Sequence, residues 1–270
     1  MLNKIRKGML FGLITMMLVI VISAADFMTI GSTAAYASGN IRPTVRYTVQ
    51  WGDSLYKISK VYGISIESIK SANSLKSDMI LSGQTLTIPV APNRTLKEII
   101  NGMGLSASQL NLRLFVDKSD KQATVYNGNV PLKAYHVELG DGGTGDKQVA
   151  GDHKTPEGSF YITQKLVLNP ADEYLGTRWM RLSYPNIEDA KRGLDSGLIN
   201  RTTYNTIVNA INNGQTPPQN TALGGGVGVH GGSTASLGTN WTWGCVGLSN
   251  TDVQDFYDYM KVGTKVAIQQ

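Results

Sequence analysis

The sequence is poor in cysteine, histidine and charged residues. Its 270 residues include a single cysteine, Cys245, and three histidines. One cysteine excludes an intramolecular disulfide and a cysteine-based zinc knuckle. Charged residues are 17% of the chain and hydrophobic residues 41%, which excludes a charge-driven disordered chain. The net charge of +5 is too small to indicate binding to nucleic acid, although it suits an anionic surface.

Glycine, in contrast, is abundant. The 30 glycines show no G-x-y period, which excludes a collagen-like chain and favours loop-rich β structure. The length allows one or two domains of ordinary size. A chain this long buries enough apolar surface to need no disulfide or metal for stability.

The N-terminus has the pattern of an export signal. Three basic residues within the first seven precede an almost uninterrupted apolar run over residues 9–25, and Ala35-Tyr36-Ala37 follows as a small-x-small pattern suited to signal peptidase. We therefore predict a signal peptide over residues 1–37. Because the apolar run is near the lower length limit for a membrane span, an uncleaved N-terminal anchor is the alternative. In both cases the rest of the chain lies outside the membrane, and only this segment contacts the bilayer.

A small module with the order β-α-α-β is predicted over residues 46–90. A short alternating strand comes first, and the apolar residues after a Gly-Asp-Ser turn recur at helical spacing up to Gly63. A second helix begins near Ile66, and an alternating strand ends the module at Pro89.

This module closely resembles a LysM domain, a family that binds glycans containing N-acetylglucosamine, such as peptidoglycan and chitin. About fifteen positions agree with the family in order and spacing, in the segments Tyr47 to Ile58, Tyr62 to Leu75 and Gly83 to Pro89. The resemblance implies a shallow sugar-binding groove between two loops. Its residues would be Gly52, Asp53, Ser54 and Leu55 in the first loop and Met79, Ile80 and Leu81 in the second. The alternative is that the apolar members belong to the core, and for Leu55 the core position is favoured.

Residues 91–110 are predicted to be a linker, either a joint between the two modules or an edge of the second one. Within this segment Thr95 is placed to cap a short helix that Gly102 and Gly104 would end.

The large module, residues 111–270, is predicted to be a mainly-β sandwich or barrel-like domain. Short alternating strands recur with glycine turns between them, and Asn127-Gly128 is a strong hairpin signal. Strands are expected near residues 112–116, 123–126, 130–132, 134–139, 159–163, 179–184 and 264–268. Helices are expected over residues 188–194, 202–212 and 252–261.

Residues that suit nucleophilic catalysis are concentrated between Gly224 and Ser249. Eight glycines occur in the 21 residues from Gly224 to Gly244, and glycine lets the backbone approach a ligand closely. His230 is expected on one flexible loop there, and Cys245 on the next. A lone cysteine is more often a small buried hydrophobic residue. A nucleophile is favoured here because an idle exposed thiol is a liability in an exported chain, because His230 can act as its base, and because the N–H groups of the Gly-Cys turn can hold an oxyanion.

These residues resemble the catalytic domain of the L,D-transpeptidases, the YkuD-type family. The family pattern is His-Gly, about fifteen residues, and [Ser/Thr]-x-Gly-Cys-[Ile/Val] before an Asp-containing helix. It is matched by His230-Gly231 and by Thr242 to Val246, and Thr155-Pro156-Glu157-Gly158 matches the family's strand entry upstream. The resemblance spans about 160 residues and implies a β-rich sandwich with the cysteine and histidine in a cleft.

The resemblance also implies the reaction. Cys245, activated by His230, would attack a carbonyl of a peptidoglycan stem peptide and release the terminal D-amino acid. The acyl group would then pass to an amine of a neighbouring stem, forming a 3–3 cross-link. The N–H groups of Gly244 and Cys245, with that of Trp243, would hold the oxyanion, and a backbone carbonyl would orient His230. The candidates for substrate binding are Gly231, Trp243 and His153. No cofactor or metal is expected, and the partners would be glycan strands and stem peptides in the cell wall, bound by a monomer.

The chain departs from the family pattern at two positions. Most members carry arginine two residues after the cysteine, where this chain has Gly247, and many carry histidine or lysine before the Gly-Cys pair, where it has Trp243. The missing arginine puts recognition of the substrate carboxylate in question. The segment Leu182-Ser183-Tyr184-Pro185-Asn186 resembles a subgroup that includes hydrolases of peptidoglycan.

Three other interpretations remain open. The same fold would act as an L,D-carboxypeptidase or endopeptidase if water replaced the acceptor amine. A chain with an inactive catalytic domain would be a wall-binding structural protein. A zinc site built from His136, His153, His230 and Cys245 is disfavoured, because the spacing matches no ligand pattern and because His136 fits a structural position in a strand.

Overall fold

A computed structural model describes residues 43–91, 93–234 and 237–270 of the protein. The predicted signal peptide, residues 1–37, lies outside the described residues. Within the described ranges, no helix has both the length and the apolar character needed to cross a bilayer.

The small module has the predicted order β-α-α-β. Strands β1 (Thr44–Thr48) and β2 (Thr85–Pro89) form an antiparallel pair. Helices α1 (Leu55–Tyr62) and α2 (Ile66–Ala72) connect them.

Local sequence signals explain where α1 begins and ends. Ser54 accepts a hydrogen bond from the N–H of Lys57 at 3.2 Å, and Gly63 ends the helix in the left-handed conformation with φ of 66°. Leu55 is 1% exposed and belongs to the small module's core, so the core interpretation of this residue is correct.

The small module is in direct contact with the large one. Ala134 of the large module belongs to the small module's core cluster. The Tyr62 hydroxyl donates to the carbonyl of Pro131 at 2.5 Å, and the N–H of Thr44 donates to Oε1 of Gln122 at 3.1 Å.

The segment predicted as a linker is not a free joint but an edge of the large module, to whose core it contributes. Thr95 caps helix α3 (Leu96–Gly102) in a capping box with Glu98, as the sequence predicts. The apolar side of α3, formed by Leu96, Ile99 and Ile100, is buried in the large core. A 3₁₀ turn over Ala107–Gln109 follows before the first strand of the large sheet.

Eight strands form the large sheet, in the order β5-β4-β3-β10-β6-β7-β8-β9. The β3–β10 and β8–β9 pairs are parallel, and the other neighbours are antiparallel. The strands are β3 (Leu112–Asp117), β4 (Gln122–Asn127), β5 (Val130–His136), β6 (Gly158–Asp172), β7 (Gly176–Leu182), β8 (Gly228–His230), β9 (Val246–Gly247) and β10 (Lys265–Gln269).

The sheet folds around one core, in agreement with the predicted mainly-β sandwich-like class. Strand β6 is shared: residues 158–161 pair with β10, and residues from Ile162 onward pair with β7. Beyond β5, Glu138 exchanges both backbone hydrogen bonds with Gly247 of β9, at 2.8 Å each, so the two ends of the strand order meet.

The helices of the large module lie where the sequence predicts them. Helices α4 (Ile187–Asp195) and α5 (Arg201–Asn212) fall between β7 and β8, and α6 (Asn250–Tyr257) follows β9. Several boundaries differ from the prediction: α6 begins at Asn250, the strands expected near residues 130–132 and 134–139 are the single strand β5, and β7 runs over Gly176–Leu182. Helix α6 ends at Tyr257, and strand β6 continues to Asp172. The second half of β6 is a largely exposed hairpin strand whose apolar residues do not alternate regularly, so the sequence pattern does not predict it.

Candidate active site

Strands β7, β8 and β9 bring the candidate catalytic histidine to one face of the sheet. Trp179 of β7 pairs with His230 of β8, and His230 pairs with Gly247 of β9. Paired residues project to the same face, so these three positions form one row. His230 therefore ends a strand that is paired on both sides, and the prediction of a flexible loop at this residue is wrong.

Cys245 lies in the next row of the same face. It precedes Val246, which pairs with Val229, so its neighbour on β8 is Gly228. The thiol donates to the carbonyl of Gly226 at 3.6 Å, and the N–H of Gly228 hydrogen-bonds to the sulfur. Cys245 is 6% exposed, and burial raises the pKa of its thiol to about 11. The resting thiol is therefore protonated at neutral pH.

The imidazole of His230 is fully buried and has a defined tautomer. Its Nδ1 lies 2.7 Å from the carbonyl oxygen of Gly231. Because a carbonyl only accepts, Nδ1 carries the proton and Nε2 carries the lone pair. Nε2 has no hydrogen-bond partner among the described residues. Burial lowers the pKa of His230 to about 4, so the ring is neutral at neutral pH and Nε2 is ready to accept a proton.

Three aromatic rings surround this imidazole. The ring centroids of Tyr174, Trp179 and Trp241 lie 5.4, 5.9 and 5.6 Å from that of His230. Tyr174 comes from the turn between β6 and β7, and burial raises the pKa of its hydroxyl to about 12. No motif in the sequence marks Tyr174 or Trp179 as part of the site. The alternation of β7 marks Trp179 as facing one side, but only the strand pairing shows that this side carries His230.

Two of the three backbone donors expected at the oxyanion site already have acceptors. The N–H of Trp243 donates to the Tyr174 hydroxyl at 2.7 Å, and the N–H of Gly244 donates to Oγ1 of Thr242 at 3.3 Å. A bound oxyanion would therefore compete with the Tyr174 hydroxyl and the Thr242 side chain for these two groups.

The loop before Cys245 requires glycine at position 244. Gly244 has a φ of 117°, and a Cβ added there would lie 2.7 Å from the carbonyl oxygen of Lys154. This contact places the backbone of Lys154 directly against the turn that carries the thiol.

The other residues predicted to bind substrate divide into an exposed pair and a buried one. Trp243 is 65% exposed and stacks on His153, with ring centroids 5.9 Å apart, and Nδ1 of His153 lies 2.7 Å from Oδ1 of Asp141. These two rings form a rim beside the buried pair. Gly231 is itself buried. Its N–H donates to the carbonyl of Leu175 at 3.0 Å, and its carbonyl accepts from His230, so its backbone contacts His230 rather than the surface.

The structure gives a steric reason for Gly247, where the resembling family has arginine. A Cβ at this position would lie 3.0 Å from Cγ2 of Thr242, 3.1 Å from Oγ of Ser233 and 3.3 Å from the ring of Trp241. Trp241 is held there, because its Nε1 donates to Oγ of Ser233 at 2.9 Å. Trp241 thus fills the space in which a side chain from position 247 would start.

Two buried lysines hold the segment that faces this site. Lys147 is 3% exposed and pairs with Asp152 at 2.6 Å, while Lys118 pairs with Glu157 at 2.8 Å. Asp152 also accepts three backbone N–H groups, and these bonds with that of Lys147 lower its pKa to about 2 against the opposing effect of burial. The segment containing His153 is therefore anchored from within.

In the small module the predicted sugar-binding residues have different surroundings. The carboxylate of Asp53 accepts from the Tyr47 hydroxyl at 2.6 Å and from the N–H of Gln50 at 2.7 Å, so it braces its own turn. The side chain of Ser54 caps α1, and Ile80 packs against the small core. The exposed groups are the backbone at Gly52, whose carbonyl accepts from Nζ of Lys57 at 2.7 Å, and the side chain of Leu81, which is 68% exposed.

Two exposed apolar side chains flank these groups. Met79 is 78% exposed, and Trp51, which the sequence analysis did not single out, is 93% exposed. The two loops are joined by backbone hydrogen bonds of 2.8 Å from Val49 to Gln84 and from Gly83 to Val49.

Metal ligation has no support in the described parts of the chain. They contain no group of three or more histidine, cysteine, aspartate or glutamate side chains arranged to hold a metal ion. His136 ends β5, and its Nε2 lies 2.7 Å from Oε1 of Glu138.

Comparison with known proteins matches both modules. The model of the L,D-transpeptidase catalytic domain, YkuD, matches residues 111–268, and that of the LysM domain matches residues 47–89. The probable peptidoglycan endopeptidase LytE of Bacillus subtilis is 52% identical over 42 residues, which are 16% of this chain and 13% of LytE. This chain therefore spans well under a fifth of the length of LytE.

Solved structures show weaker likeness. The helical cell shape determining protein Pgp2 of Campylobacter jejuni is 22% identical, with 59% of this chain and 47% of Pgp2 covered and a TM-score of 0.41. An L,D-transpeptidase of Xylanimonas cellulosilytica is 16% identical, with 84% of this chain and 99% of that chain covered and a TM-score of 0.37. The YkuD match alone spans more than half of the sequence. The chain therefore belongs to the YkuD family of L,D-transpeptidase catalytic domains and carries a LysM domain ahead of it.

Proposed function

We propose that this protein cross-links peptidoglycan outside the membrane, by transferring the acyl group of one stem peptide to another through Cys245. The observation that carries the proposal is the placement of two neutral, complementary groups on one face of adjacent strands. Cys245 holds a protonated thiol, and His230 presents a lone pair at Nε2 that has no partner among the described residues. Such a pair suits general-base activation of a thiol.

The first step forms a thioester. The thiol leaves its hydrogen bond to Gly226 and gives its proton to Nε2 of His230 as the sulfur attacks the scissile carbonyl. The tetrahedral intermediate then collapses, the C–N bond breaks, and the proton on Nε2 passes to the leaving amine of the terminal D-amino acid. The Gly231 carbonyl stabilises the imidazolium that forms briefly, because it accepts from Nδ1.

The second step releases the enzyme. An amine of a neighbouring stem peptide attacks the thioester, His230 takes its proton, and the thiolate leaves and is reprotonated. With water in place of the amine the same step is hydrolysis and gives a trimmed stem peptide. The oxyanion in both steps would be held by the N–H groups of Gly244 and Cys245, joined by that of Trp243 once the Tyr174 hydroxyl moves away.

The LysM domain would bind the glycan strand. The exposed groups at its two loops are the N–H of Gly52, whose carbonyl is bonded to Lys57, and the apolar side chains of Trp51, Met79 and Leu81. Aromatic and aliphatic groups suit the apolar face of a sugar ring, and backbone amides suit its acetamido group. The Trp51→Ala variant should bind insoluble peptidoglycan at least tenfold more weakly, whereas Val262→Ala, which alters an exposed side chain of the large module, should bind normally.

The test of the catalytic proposal uses purified muropeptides. The protein is incubated with disaccharide-tetrapeptides, and the products are separated and weighed by mass spectrometry, with Cys245→Ala as the control. Cross-linked dimers that Cys245→Ala does not form would support the transferase. Trimmed monomers alone would contradict cross-linking and indicate the carboxypeptidase, and no product of either kind would leave a wall-binding role.

A further inference from the structure

Arg181, a cation in the same row as Cys245, has no carboxylate partner among the described residues. Arg181 pairs with Gly228, the residue that lies next to Cys245 on the neighbouring strand. Arg181, Gly228 and Cys245 therefore share one row on one face of β7, β8 and β9. The ring of Trp179 covers Gly228, and the guanidinium carbon of Arg181 lies 5.5 Å from the centroid of that ring.

The hydrogen bonds of Arg181 go to neutral amides. Its Nε donates to Oε1 of Gln164 at 3.0 Å, and its Nη1 donates to Oε1 of Gln219 at 2.9 Å. No ion pair joins Arg181 to a carboxylate in the part of the chain that the structure describes. The other cation whose charge reaches the thiol is Lys147, and Asp152 neutralises it.

Arg181 is also linked to the thiol through the same amide. Oε1 of Gln219 accepts a second hydrogen bond, from the N–H of Gly226 at 2.8 Å. The carbonyl of Gly226 is the acceptor for the Cys245 thiol. A half-buried guanidinium with neutral partners, held in register with a nucleophile, is arranged to receive an anion from outside the chain.

We propose that Arg181 binds the terminal carboxylate of the stem peptide that Cys245 attacks. The inference rests on the proposed function, because it takes a peptide ending in a free carboxylate as the donor. Two strand spacings of about 4.8 Å separate the backbone of Arg181 from that of Cys245. The leaving residue extends about 3.5 Å beyond the scissile carbonyl, and the long arginine side chain covers the rest of the distance. The carboxylate would add a charge-assisted pair without displacing either glutamine.

The test compares two donor peptides on four proteins. One tetrapeptide stem ends in a free carboxylate, and the other ends in the corresponding amide. The proteins are the wild type, Arg181→Gln, Arg181→Lys and Arg201→Gln, the last removing a charge of the same kind from the exposed face of α5. For each pair kcat/KM is measured by mass spectrometry of the released terminal residue, and thermal unfolding confirms that each variant is folded.

We expect the wild type to prefer the peptide that ends in a carboxylate. For Arg181→Gln, kcat/KM should fall about 10- to 100-fold on that peptide and change less than about threefold on the peptide amide. The kcat/KM of Arg181→Lys on the carboxylate peptide should lie between those of the wild type and Arg181→Gln, and that of Arg201→Gln should match the wild type. Equal losses of Arg181→Gln on both peptides, or a wild type without preference for the acid, would overturn the assignment of Arg181 while leaving the transferase in place. A folded wild type that turns over neither peptide would overturn the proposed function and this assignment with it.

Discussion

Individual residues set the protonation of the site before substrate arrives. Burial raises the pKa of Cys245 and lowers that of His230, so both shifts favour the neutral forms. The resting pair is therefore a thiol and an imidazole rather than a thiolate and an imidazolium. In the proposed mechanism proton transfer would therefore accompany attack on the carbonyl, which is the general-base form of cysteine catalysis.

This protonation predicts the acid side of the pH–rate profile. His230 must be neutral to act as base, and a pKa lowered to about 4 keeps it neutral well below the usual value of 6.5. We expect kcat/KM to stay level from about pH 5 to pH 8 and to reach half its maximum near pH 4. Unfolding followed at each pH controls for loss of structure. A half-maximum near pH 6.5 would show that His230 is solvated in the reacting enzyme.

A second residue-scale prediction concerns Gly244. An alanine there would suffer from its positive φ and from a Cβ 2.7 Å from the Lys154 carbonyl. Gly238→Ala is the matched control, because Gly238 also has a positive φ, of 72°, but open space around the added Cβ. We expect Gly238→Ala to cost about 1–2 kcal/mol in the free energy of unfolding. Gly244→Ala should cost about 1–3 kcal/mol more and lower kcat/KM about 100-fold. Equal effects of the two substitutions in denaturant titrations would contradict the close contact.

At the scale of elements, the site is a product of strand register. The β7–β8–β9 pairing aligns Trp179 with His230 and Gly247, and Arg181 with Gly228. The flanking loop then contributes Trp241, which fills the space above Gly247. Trp241 and Gly247 pack together, and the Trp241 ring takes the space that a long side chain at position 247 would occupy.

Restoring arginine at position 247 tests this unit. Gly247→Arg alone should displace Trp241, lower the free energy of unfolding by about 1–3 kcal/mol and fail to raise kcat/KM. The double variant Gly247→Arg with Trp241→Gly should recover part of the lost stability, because the added side chain then has room. Chemical unfolding of the three proteins decides the matter. A single Gly247→Arg variant as stable as the wild type would show that Trp241 does not occupy this space.

Sequence patterns predicted the helices and strands better than the register in which the strands pair. The β-α-α-β module and helix α3 with its cap at Thr95 follow from local signals, while Cys245 and His230 are candidates because their motifs resemble those of a known family. The rows of the active site do not follow from local signals, because β8 and β9 have only three and two residues and pair in parallel over a long loop. Register shifts within the β6–β7 pair further hide which side of β7 meets His230. Tyr174 lies in a turn whose position depends on this hairpin, so no local signal identifies it.

At the scale of the whole molecule, the LysM domain is docked rather than tethered. Tyr62 and Thr44 hydrogen-bond to the catalytic domain, and Ala134 joins the LysM core. Helix α3 lies between the two domains in sequence but belongs to the catalytic core. A glycan bound to the LysM loops would therefore be held in a fixed relation to Cys245, which raises the effective concentration of nearby stem peptides.

Removal of N-terminal segments tests the role of α3. Chains that begin at residues 43, 93 and 111 are compared by denaturant unfolding. The chain from residue 93 keeps α3 and should fold cooperatively with moderate loss of stability. The chain from residue 111 loses the buried side chains of Leu96, Ile99 and Ile100, worth about 1.5–3 kcal/mol each, which approaches the whole stability of a domain. If the two shorter chains unfold at the same denaturant concentration, α3 is dispensable to the core.

The proposed mechanism requires Cys245 to carry the acyl group. The most direct measurement is the intact mass of the protein, rapidly quenched in acid during turnover of a tetrapeptide stem and followed by peptide mapping. Because Cys245 is the only cysteine in the sequence, a thioester can form at no other residue. We expect the mass of the protein to increase by the mass of the stem peptide minus that of the released terminal amino acid. The increase should lie on the peptide that contains Cys245 and should be absent from Cys245→Ala. Product formation by Cys245→Ala at the wild-type rate would show that Cys245 does not carry the acyl group.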